Sequence, residues 1–174
     1  MVGHGGLAVV KACLFVLGLG SNLGDRLARL QAAAAKLEVS IELELCARSR
    51  VIETSAMGGP PQPDFLNAAV AVRTGLAPIA LLELVLAIEA TLGRVRPDPV
   101  RWGPRIIDID VLWAQGLALD EPRLALPHPR LRDRPFAVQP LLELVPDACD
   151  PLTGERYALL PAAQAPVRLV AARL

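Results

Sequence analysis

The stretch WGPRIIDIDVLW, residues 102–113, holds the pattern that decides the fold and the site. Read as a β-strand, whose side chains alternate between two faces, it places Asp108 and Asp110 together on one face. Two carboxylates one pleat apart repel each other, and burial in an otherwise apolar strand makes the repulsion more costly. We therefore expect a positive group to lie between them.

A divalent cation is the simplest positive partner for such a pair. Mg²⁺ takes oxygen ligands and is often held by one or two carboxylates together with substrate phosphates and water. The alternative is an edge strand with two ordinary solvated aspartates, which is the commoner origin of an isolated Asp-x-Asp. Because the strand is apolar apart from these two acids, the pattern favours a central strand, where unneutralised acids are costly.

An arginine-rich loop leads directly into this strand. Arg94, Arg96, Arg101 and Arg105 fall in a short segment in which Asp98 is the only acid. A solvated, flexible loop is the usual fate of such a charge run. A cationic lid beside paired carboxylates would instead suit a polyphosphate substrate, because arginines and metal ions together neutralise a transferring phosphoryl group.

Two further polar residues are candidates on weaker grounds. His128 lies between prolines in LPHPRLRDRPF, residues 126–136, where it is either a turn residue or a phosphate contact. Glu89 falls in the last turn of a predicted helix, where the helix dipole disfavours an anion. It is therefore either a harmless exposed glutamate or a contact residue.

Two of the few aromatic residues stand beside loops. Phe65 begins a strand after a proline-rich loop, and Phe136 follows the His/Arg segment. Core packing is the ordinary role of phenylalanine. The alternative is a flat heteroaromatic ligand stacked between the two rings, with the side-chain amide of Asn67 bonding to its edge.

The motif GLGSNLG, residues 18–24, follows a strand and opens a helix. It resembles a dinucleotide-binding turn, which would indicate an NADP-linked oxidoreductase. The elements that follow do not alternate as strand and helix in the way a parallel sheet requires. The pattern therefore favours a tight strand-to-helix turn.

Hydrophobic periodicity predicts an element order of β-α-β-β-α-β. Strands are expected at 13–20, 41–54, 65–74 and 105–113, and helices at 21–39, 78–92 and 135–144. This order predicts an α+β fold with a ferredoxin-like βαββαβ core, an antiparallel sheet with helices on one face, and extra C-terminal elements. Residues 55–64 and 121–133 are expected to be loops, and residues 117–120 to pair back onto the strand before them.

Length and composition predict one domain over residues 1–174, with residues 1–12 as a flexible leader. A hydrophobic content of 53% against 21% charged residues argues against disorder. The net charge of zero argues against a nucleic-acid-binding module on the same scaffold and against membrane attraction. Three cysteines without Cys-x-x-Cys spacing indicate buried free thiols in a reducing cytoplasm.

Taken together, six segments resemble the 6-hydroxymethyl-7,8-dihydropterin pyrophosphokinase family over roughly residues 14–150. They are LGLGSNLGDR, PDFLNAAV, EATLGRVR, RWGPRIIDIDVLW, LPHPRLRDRPF and PLLELVPD. The resemblance implies transfer of pyrophosphate from ATP to the hydroxymethyl group of the reduced pterin, in folate biosynthesis. It implies ATP as co-substrate, two Mg²⁺ ions, and a cytoplasmic monomer or weak homo-oligomer without nucleic-acid or membrane partners.

The resemblance also implies roles for individual residues. Asp108 and Asp110 would bridge the two metal ions and, with Arg94 and Arg105, form the catalytic group. The residues implied in pterin binding are Thr54, Ser55, Met57, Phe65, Asn67 and Phe136. The residues implied in nucleotide binding are Glu89, Arg96, Arg101, Trp102, Arg123, His128 and Arg134. The chain departs from the family pattern in its lysine-free arginine loop and in Ile52, Ser55 and Pro129.

Overall fold

A computed structural model describes residues 12–97, 100 and 102–174, and within them eight strands and four α-helices. They are β1 (Cys13–Ser21), α1 (Arg26–Glu38), β2 (Glu44–Arg48), β3 (Arg50–Thr54), β4 (Phe65–Thr74), α2 (Pro78–Thr91), β5 (Asp108–Ala114), β6 (Leu119–Glu121), β7 (Leu124–Leu126), α3 (Pro135–Leu144), α4 (Pro161–Gln164) and β8 (Arg168–Arg173). All of the predicted leader except its last residue lies outside the described residues.

The central sheet has the strand order β5-β1-β4-β3-β8, and β2 also pairs with β4. Every neighbouring pair in it is antiparallel. The predicted α+β class with an antiparallel sheet is therefore confirmed. Strand β5, which carries the aspartate pair, is bonded to the long central strand β1 over most of its length. Among the described residues β5 lies at the edge of the sheet, so the predicted central position is wrong. Its apolar pattern reflects burial on both faces instead, with Ile109 in one part of the core and Leu112 in the other.

Alternation of side chains divides the core between the two faces of the sheet. On one face, Leu17 of β1 and Val70 of β4 pack against Leu30 of α1 and Val85 of α2. On the other face, residues of β1, β4 and β5 pack against Val138 and neighbouring residues of α3. Helices therefore cover both faces, and the expectation that they lie on one face holds only for α1 and α2.

Local signals set the ends of the two core helices. The side chain of Asp25 accepts a hydrogen bond from the amide of Ala28, which caps the first turn of α1. Helix α2 begins with Pro78 in its first turn, where a missing amide hydrogen costs nothing. Gly93 follows α2 with φ of 93°, a left-handed conformation that favours glycine.

The long strand predicted at 41–54 is wrong in one respect, because the structure divides it into β2 and β3 at Ser49. The hydroxyl of Ser49 accepts a hydrogen bond from the amide of Ala69 at 2.8 Å and donates to the carbonyl of Arg50 at 2.9 Å. The amide of Ser49 still donates to the carbonyl of Ala69, but its hydroxyl replaces its carbonyl as the acceptor for Ala69. The pairing with β4 shifts by one residue between Arg48 and Ile52.

The expected pairing of residues 117–120 onto β5 is also wrong. Strand β6 pairs instead with β7, which lies inside the segment predicted to be a loop at 121–133. Leu124 and Leu126 of β7 are buried against the main core. Burial of these two leucines accounts for a short strand that local sequence does not indicate.

The three cysteines are free, as predicted, but they are not buried. Cys46 is exposed, whereas Cys13 and Cys149 are partly exposed. No helix among the described residues is long and apolar enough to cross a bilayer.

The segment after α3 completes the second face of the core. Tyr157, Leu160 and Ala162 pack with α3, and the side chain of Gln139 donates to two carbonyls of this segment. The chain then runs into β8, which pairs with β3. The C-terminal segment is thus part of the folded unit.

Tyr157 provides a test of this packing. Its hydroxyl is buried and has no hydrogen-bond partner among the described residues. Replacement by phenylalanine (Y157F) is expected to raise the free energy of unfolding by about 1 kcal/mol, because an unpaired hydroxyl is no longer buried. Urea unfolding measures the change, with the exposed Leu159→Ala as a control that should alter stability little. A Y157F protein less stable than the wild type would contradict the packing described.

Candidate active site

The sheet register places the two aspartates opposite glycines. Asp108 of β5 faces Gly20 of β1, and Asp110 faces Gly18. Paired residues on antiparallel strands project to the same side, so the predicted shared face of Asp108 and Asp110 is confirmed. A Cβ at Gly20 would lie 3.2 Å from Oδ1 of Asn67 and 3.9 Å from Cβ of Asp108. A Cβ at Gly18 would lie 2.9 Å from Cδ1 of Leu112. The two glycines therefore leave room for the side chains of Asn67 and Leu112, which pack closely against β1 beside the acid pair.

A first cleft of about 820 Å³ opens above this floor. It lies on the α3 face of the sheet, between the loop at residues 55–64 and the first turn of α3. The six residues implied in pterin binding all line it: Thr54, Ser55, Met57, Phe65, Asn67 and Phe136. The cleft also contains both aspartates, Arg105 and Arg130.

A second cleft of about 1030 Å³ lies on the other side of the acid pair. Three residues implied in nucleotide binding line it, namely Arg96, Arg123 and His128. Its apolar lining includes Leu82, Ile109 and Val111. Asp110 lines both clefts, so the two cavities meet at the acid pair.

The remaining residues implied in nucleotide binding lie elsewhere. Trp102 and Arg134 line the first cleft, with the guanidinium of Arg130 5.4 Å from the Trp102 ring. Glu89 lines neither cleft. Arg101 falls outside the described residues.

Two guanidinium groups neutralise Asp108. Nη1 of Arg94 lies 2.5 Å from Oδ1, and Nη1 of Arg105 lies 2.6 Å from Oδ2. Burial alone would raise the pKa of Asp108, but the charges of Arg105 and Arg94 outweigh it and hold this pKa below its usual range. In the ligand-free protein, the positive groups expected beside the acids are therefore arginines.

Asp110 is in the opposite electrostatic situation. Among the described residues its nearest cationic partner, Arg134, lies 4.0 Å away, beyond hydrogen-bond distance. Burial and the charge of Asp108 raise the pKa of Asp110 to about 7. The pair is thus asymmetric, with one carboxylate bonded to two arginines and the other only approached by one.

Glu89 is buried next to the site and binds two of its elements. Its side chain is 1% exposed, and its oxygens accept hydrogen bonds from the amide of Ile109 at 2.7 Å and from Nη2 of Arg96 at 2.6 Å. Burial raises the pKa of Glu89, while Arg96 and Ile109 oppose this shift. Glu89 is therefore not the exposed glutamate that was one of its two expected roles, because its carboxylate is buried between α2, β5 and the arginine loop.

His128 is held as a neutral imidazole. Burial and the nearby charge of Arg134 lower its pKa to about 4. Its Nδ1 accepts a hydrogen bond from the amide of Arg130 at 3.1 Å, which leaves the proton on Nε2. His128 can therefore act as an N–H donor towards the second cleft.

The first cleft has an aromatic and amide lining suited to a flat polar ring. Phe65 and Phe136 border it, and the guanidinium of Arg134 stands 5.5 Å from the ring of Phe136. Nδ2 of Asn67 donates to the hydroxyl of Thr54 at 2.9 Å, which fixes the orientation of the amide. Stacking surfaces and an oriented amide can together recognise the face and the edge of a heteroaromatic ring.

The acid pair fits a magnesium site that relies on substrate oxygens. Among the described residues, no group of three or more His, Cys, Asp or Glu side chains converges on one point. Two carboxylates on one face suffice for Mg²⁺ when phosphates and water complete the coordination. The weakly neutralised Asp110 is the better exposed of the two, with 40% of its side chain accessible.

Two residues that sequence reasoning did not single out join three loops around the first cleft. Asn22 accepts from the amide of Arg105 at 2.6 Å and donates to Oε1 of Gln62 at 2.9 Å. Nε2 of Gln62 donates to the carbonyl of Trp102 at 2.8 Å. Asn22 belongs to the motif GLGSNLG, which sequence analysis interpreted as a turn. Its contacts to distant loops could not be inferred from the neighbouring residues.

A cleft lined by two arginines and a histidine and an aromatic-lined cleft meet at Asp110. This arrangement is typical of an enzyme that transfers a phosphate-containing group between two bound substrates. The sequence profile of the 7,8-dihydro-6-hydroxymethylpterin-pyrophosphokinase (HPPK) family matches residues 16–146. This chain therefore belongs to the HPPK family. The predicted family and enzyme class, a pyrophosphokinase of folate biosynthesis, are confirmed.

Relatives named 2-amino-4-hydroxy-6-hydroxymethyldihydropteridine pyrophosphokinase support this assignment. The protein from Methylorubrum extorquens is 50% identical over 131 residues, which are 75% of this chain and 82% of the relative. The protein from Synechocystis sp. is 43% identical over 145 residues, which are 80% of this chain and 70% of the relative.

Solved structures of HPPK-DHPS proteins show the same fold. The wild-type Plasmodium falciparum structure has a TM-score of 0.66 at 14% identity, and the match covers 91% of this chain and 42% of that protein's chain. A structure of HPPK-DHPS in complex with substrates has a TM-score of 0.64 at 14% identity and covers 88% of this chain and 43% of its own. This chain thus spans less than half the length of these proteins.

The raised pKa of Asp110 predicts a pH dependence of stability in the metal-free protein. Folded Asp110 keeps its proton up to about pH 7, whereas the unfolded chain releases it near the ordinary aspartate pKa of 3.8. The contribution of protonated Asp110 to the stability of the folded state is therefore complete below pH 3.8 and is lost as the pH rises through about 7. The Asp110→Asn variant has no carboxyl group to titrate here, so its stability does not fall for this reason. Its melting temperature in EDTA, relative to wild type, should increase from about pH 5 to about pH 8. A constant difference across this range would contradict the asymmetry of the pair.

The environment of His128 predicts its titration. The chain has two histidines, and we expect the imidazole of His128 to titrate near pH 4, well below the ordinary histidine pKa of 6.5. Proton NMR of the imidazole signals measures both midpoints, and a His128→Gln variant assigns them. If the signal lost in H128Q titrates near the ordinary value, the burial of His128 and its neutral state are wrong.

Proposed function

We propose that this chain transfers the pyrophosphoryl group of ATP to the hydroxymethyl group of 6-hydroxymethyl-7,8-dihydropterin, giving AMP and the pterin diphosphate. The family uses ATP as co-substrate, and its curated relatives carry the name of this pterin kinase. The observation that carries the proposal is the meeting of the two clefts at Asp110. A donor in one cleft and an acceptor in the other would bring their reacting groups together at the acid pair.

The first cleft is proposed to bind the pterin. Phe65 and Phe136 would stack on the two faces of the ring, and Asn67 would bond to its polar edge. Thr54, which holds the amide of Asn67, would contact the same edge together with Ser55 and Met57. A ring held in this way would direct its hydroxymethyl group towards the acid pair.

The second cleft is proposed to bind the nucleotide. Arg96, Arg123 and the Nε2–H of His128 would donate to phosphate or ribose oxygens, while the apolar side of the cleft would receive the adenine. Arg101 is proposed as a further phosphate contact. Glu89 would act through Arg96, whose guanidinium it orients.

Trp102 and Arg134 are proposed to act between the two substrates. Both line the cleft assigned to the pterin, and Arg134 also lies within 4.0 Å of Asp110. They would therefore contact the part of the triphosphate closest to the acceptor.

Asp108 and Asp110 are proposed to hold two Mg²⁺ ions together with the triphosphate. When bound, the metal ions would neutralise the triphosphate and polarise the acceptor oxygen. The protein's own part would be to hold the acid pair on one strand face, with Arg94 and Arg105 fixing the orientation of Asp108.

Positioning and charge neutralisation are proposed to supply most of the catalysis. Phosphoryl transfer through a loose transition state needs in-line alignment more than proton abstraction. Arg105, which lines the first cleft and is anchored by Asp108, would stabilise charge on the transferring group. We assign no general base, because His128 lies in the second cleft as a neutral donor.

We also propose that β1, α1, β2 with β3, β4, α2 and β5 form a ferredoxin-like core. If β2 and β3 are counted together as the second strand of the core, β1 is the first, β4 the third and β5 the fourth. The strand order β5-β1-β4-β3 in the sheet is then fourth, first, third and second, which supports the assignment. Strand β8 and helix α3 would be additions to this core. We further propose one domain for the whole chain, which acts in the cytoplasm as a monomer or weak homo-oligomer.

The reaction is tested by incubating the protein with ATP, Mg²⁺ and the hydroxymethyl dihydropterin and measuring AMP. Wild-type protein should release AMP only when the pterin is present. Asp108→Asn and Asp110→Asn should each lower kcat by about a hundredfold or more, because charge stabilisation at the reacting group is lost. Asp147→Asn, a change at an exposed aspartate outside both clefts, is the matched control.

Release of AMP at the same rate without pterin would contradict the proposed acceptor. Turnover by D110N close to the wild-type rate would contradict the proposed metal site. Reduction of NADP by the protein would favour an oxidoreductase in place of the kinase.

A further inference from the structure

Residues 55–64, here called the substrate loop, connect β3 to β4 and line the first cleft. The loop begins directly after Thr54 and ends directly before Phe65, so its two ends carry two of the residues that border the cleft. Strand pairing already connects these ends, because Thr54 lies opposite Phe65 in the β3–β4 ladder. A further connection from the ends to the helical layer would restrict how the loop stands over the cleft.

A single guanidinium nitrogen joins the two ends. Nη1 of Arg26 lies 2.7 Å from Oε1 of Glu53, the residue before Thr54. The same nitrogen lies 2.7 Å from the backbone carbonyl oxygen of Asp64, the residue before Phe65. Arg26 is the first residue of α1, so the bonds also tie the loop to the helical layer.

Glu53 has a second arginine partner. The guanidinium of Arg168, in β8, forms an ion pair with Oε2 of Glu53. Arg168 belongs to the segment after residue 146 that the family match does not include. Because the side chain of Glu53 is only 9% exposed, both of its oxygens are held in a partly dehydrated setting, where ion pairs are screened less than at the surface.

We propose that Arg26 is a positioning residue for the pterin, because its guanidinium holds both ends of the substrate loop. We call this set of bonds the clamp. Glu53 binds the guanidinium of Arg26, and Arg168 binds the other carboxylate oxygen of Glu53. This inference rests on the proposed function, and it adds a residue outside both clefts to the determinants of pterin affinity. A loop released from the clamp spends less time in the shape that binds the ring. The apparent dissociation constant for the pterin then equals the intrinsic constant divided by the fraction of protein whose loop is in the binding shape, so it rises as this fraction falls.

The kinetic test compares Arg26→Met with Arg48→Met. The control is closely matched, since Arg48 of β2 forms a 2.7 Å ion pair with Glu38 and also joins α1 to a strand. In R26M the KM for the pterin should rise about five- to tenfold, while kcat and the KM for ATP stay within about twofold. R48M should leave all three constants unchanged.

Two more variants separate the parts of the clamp. Arg26→Lys keeps a cation that can donate to both oxygens, so it should recover most of the pterin affinity. Arg168→Met should raise the KM for the pterin by no more than about twofold, because Arg168 is 73% exposed and a surface pair contributes little. An equal rise of both KM values in R26M, with a lowered melting temperature, would overturn the proposal in favour of general destabilisation.

A second measurement does not depend on turnover. Hydrogen exchange of the substrate-loop amides in the ligand-free protein should be faster in R26M than in wild type, and unchanged in R48M. Unchanged exchange in R26M would overturn the clamp even if the enzyme is active. Absence of AMP formation by wild-type protein would instead overturn the proposed function, while the exchange result would still decide whether the clamp exists.

Discussion

The repulsion between two carboxylates on one face of an otherwise apolar edge strand is the constraint on which the rest of the structure depends. Asp108 and Asp110 share one face at the edge of the sheet, and arginines from the preceding loop bond to Asp108. Asn22 holds Arg105, the last residue of this loop, against the turn after β1. Charge compensation therefore accounts for the arginines and for one role of the turn.

The arginines compensate the charge of Asp108 but leave Asp110 largely uncompensated, and this difference bears on function. Asp108 is neutralised inside the protein, whereas burial and the charge of Asp108 raise the pKa of Asp110 to about 7. A site built in this way stores unfavourable electrostatic energy that a bound cation can relieve. Asp110 lines both the cleft that holds Arg96 and Arg123 and the cleft that holds Phe65 and Phe136. This arrangement suits the proposed group transfer between two substrates.

Periodicity predicts the parts of this arrangement that depend on local pattern. The alternation in RIIDIDVLW predicts a shared face for the aspartates, and the apolar stripe of α2 predicts this helix nearly to its ends. Helix α1 begins at Arg26 and not at residue 21 as predicted, because residue 21 still belongs to β1 and Asp25 caps the first turn. Parts that depend on distant contacts are missed. Ser49 divides a strand through a bond to Ala69, and Glu89 is buried by partners on β5 and the arginine loop. Ala69 and Ile109 each lie 20 residues from the residue that they contact, so local sequence shows neither the break at Ser49 nor the burial of Glu89.

Anomalous scattering from Mn²⁺, in crystals of the protein with a non-hydrolysable ATP analogue and the pterin, tests the central claim most directly. The account predicts two peaks, with oxygens of Asp108 and Asp110 about 2.1–2.3 Å from the metal ions and the triphosphate between the two clefts. Peaks bound by the triphosphate alone, with Asp110 turned away, would show that the acid pair is not a metal site and would contradict the account.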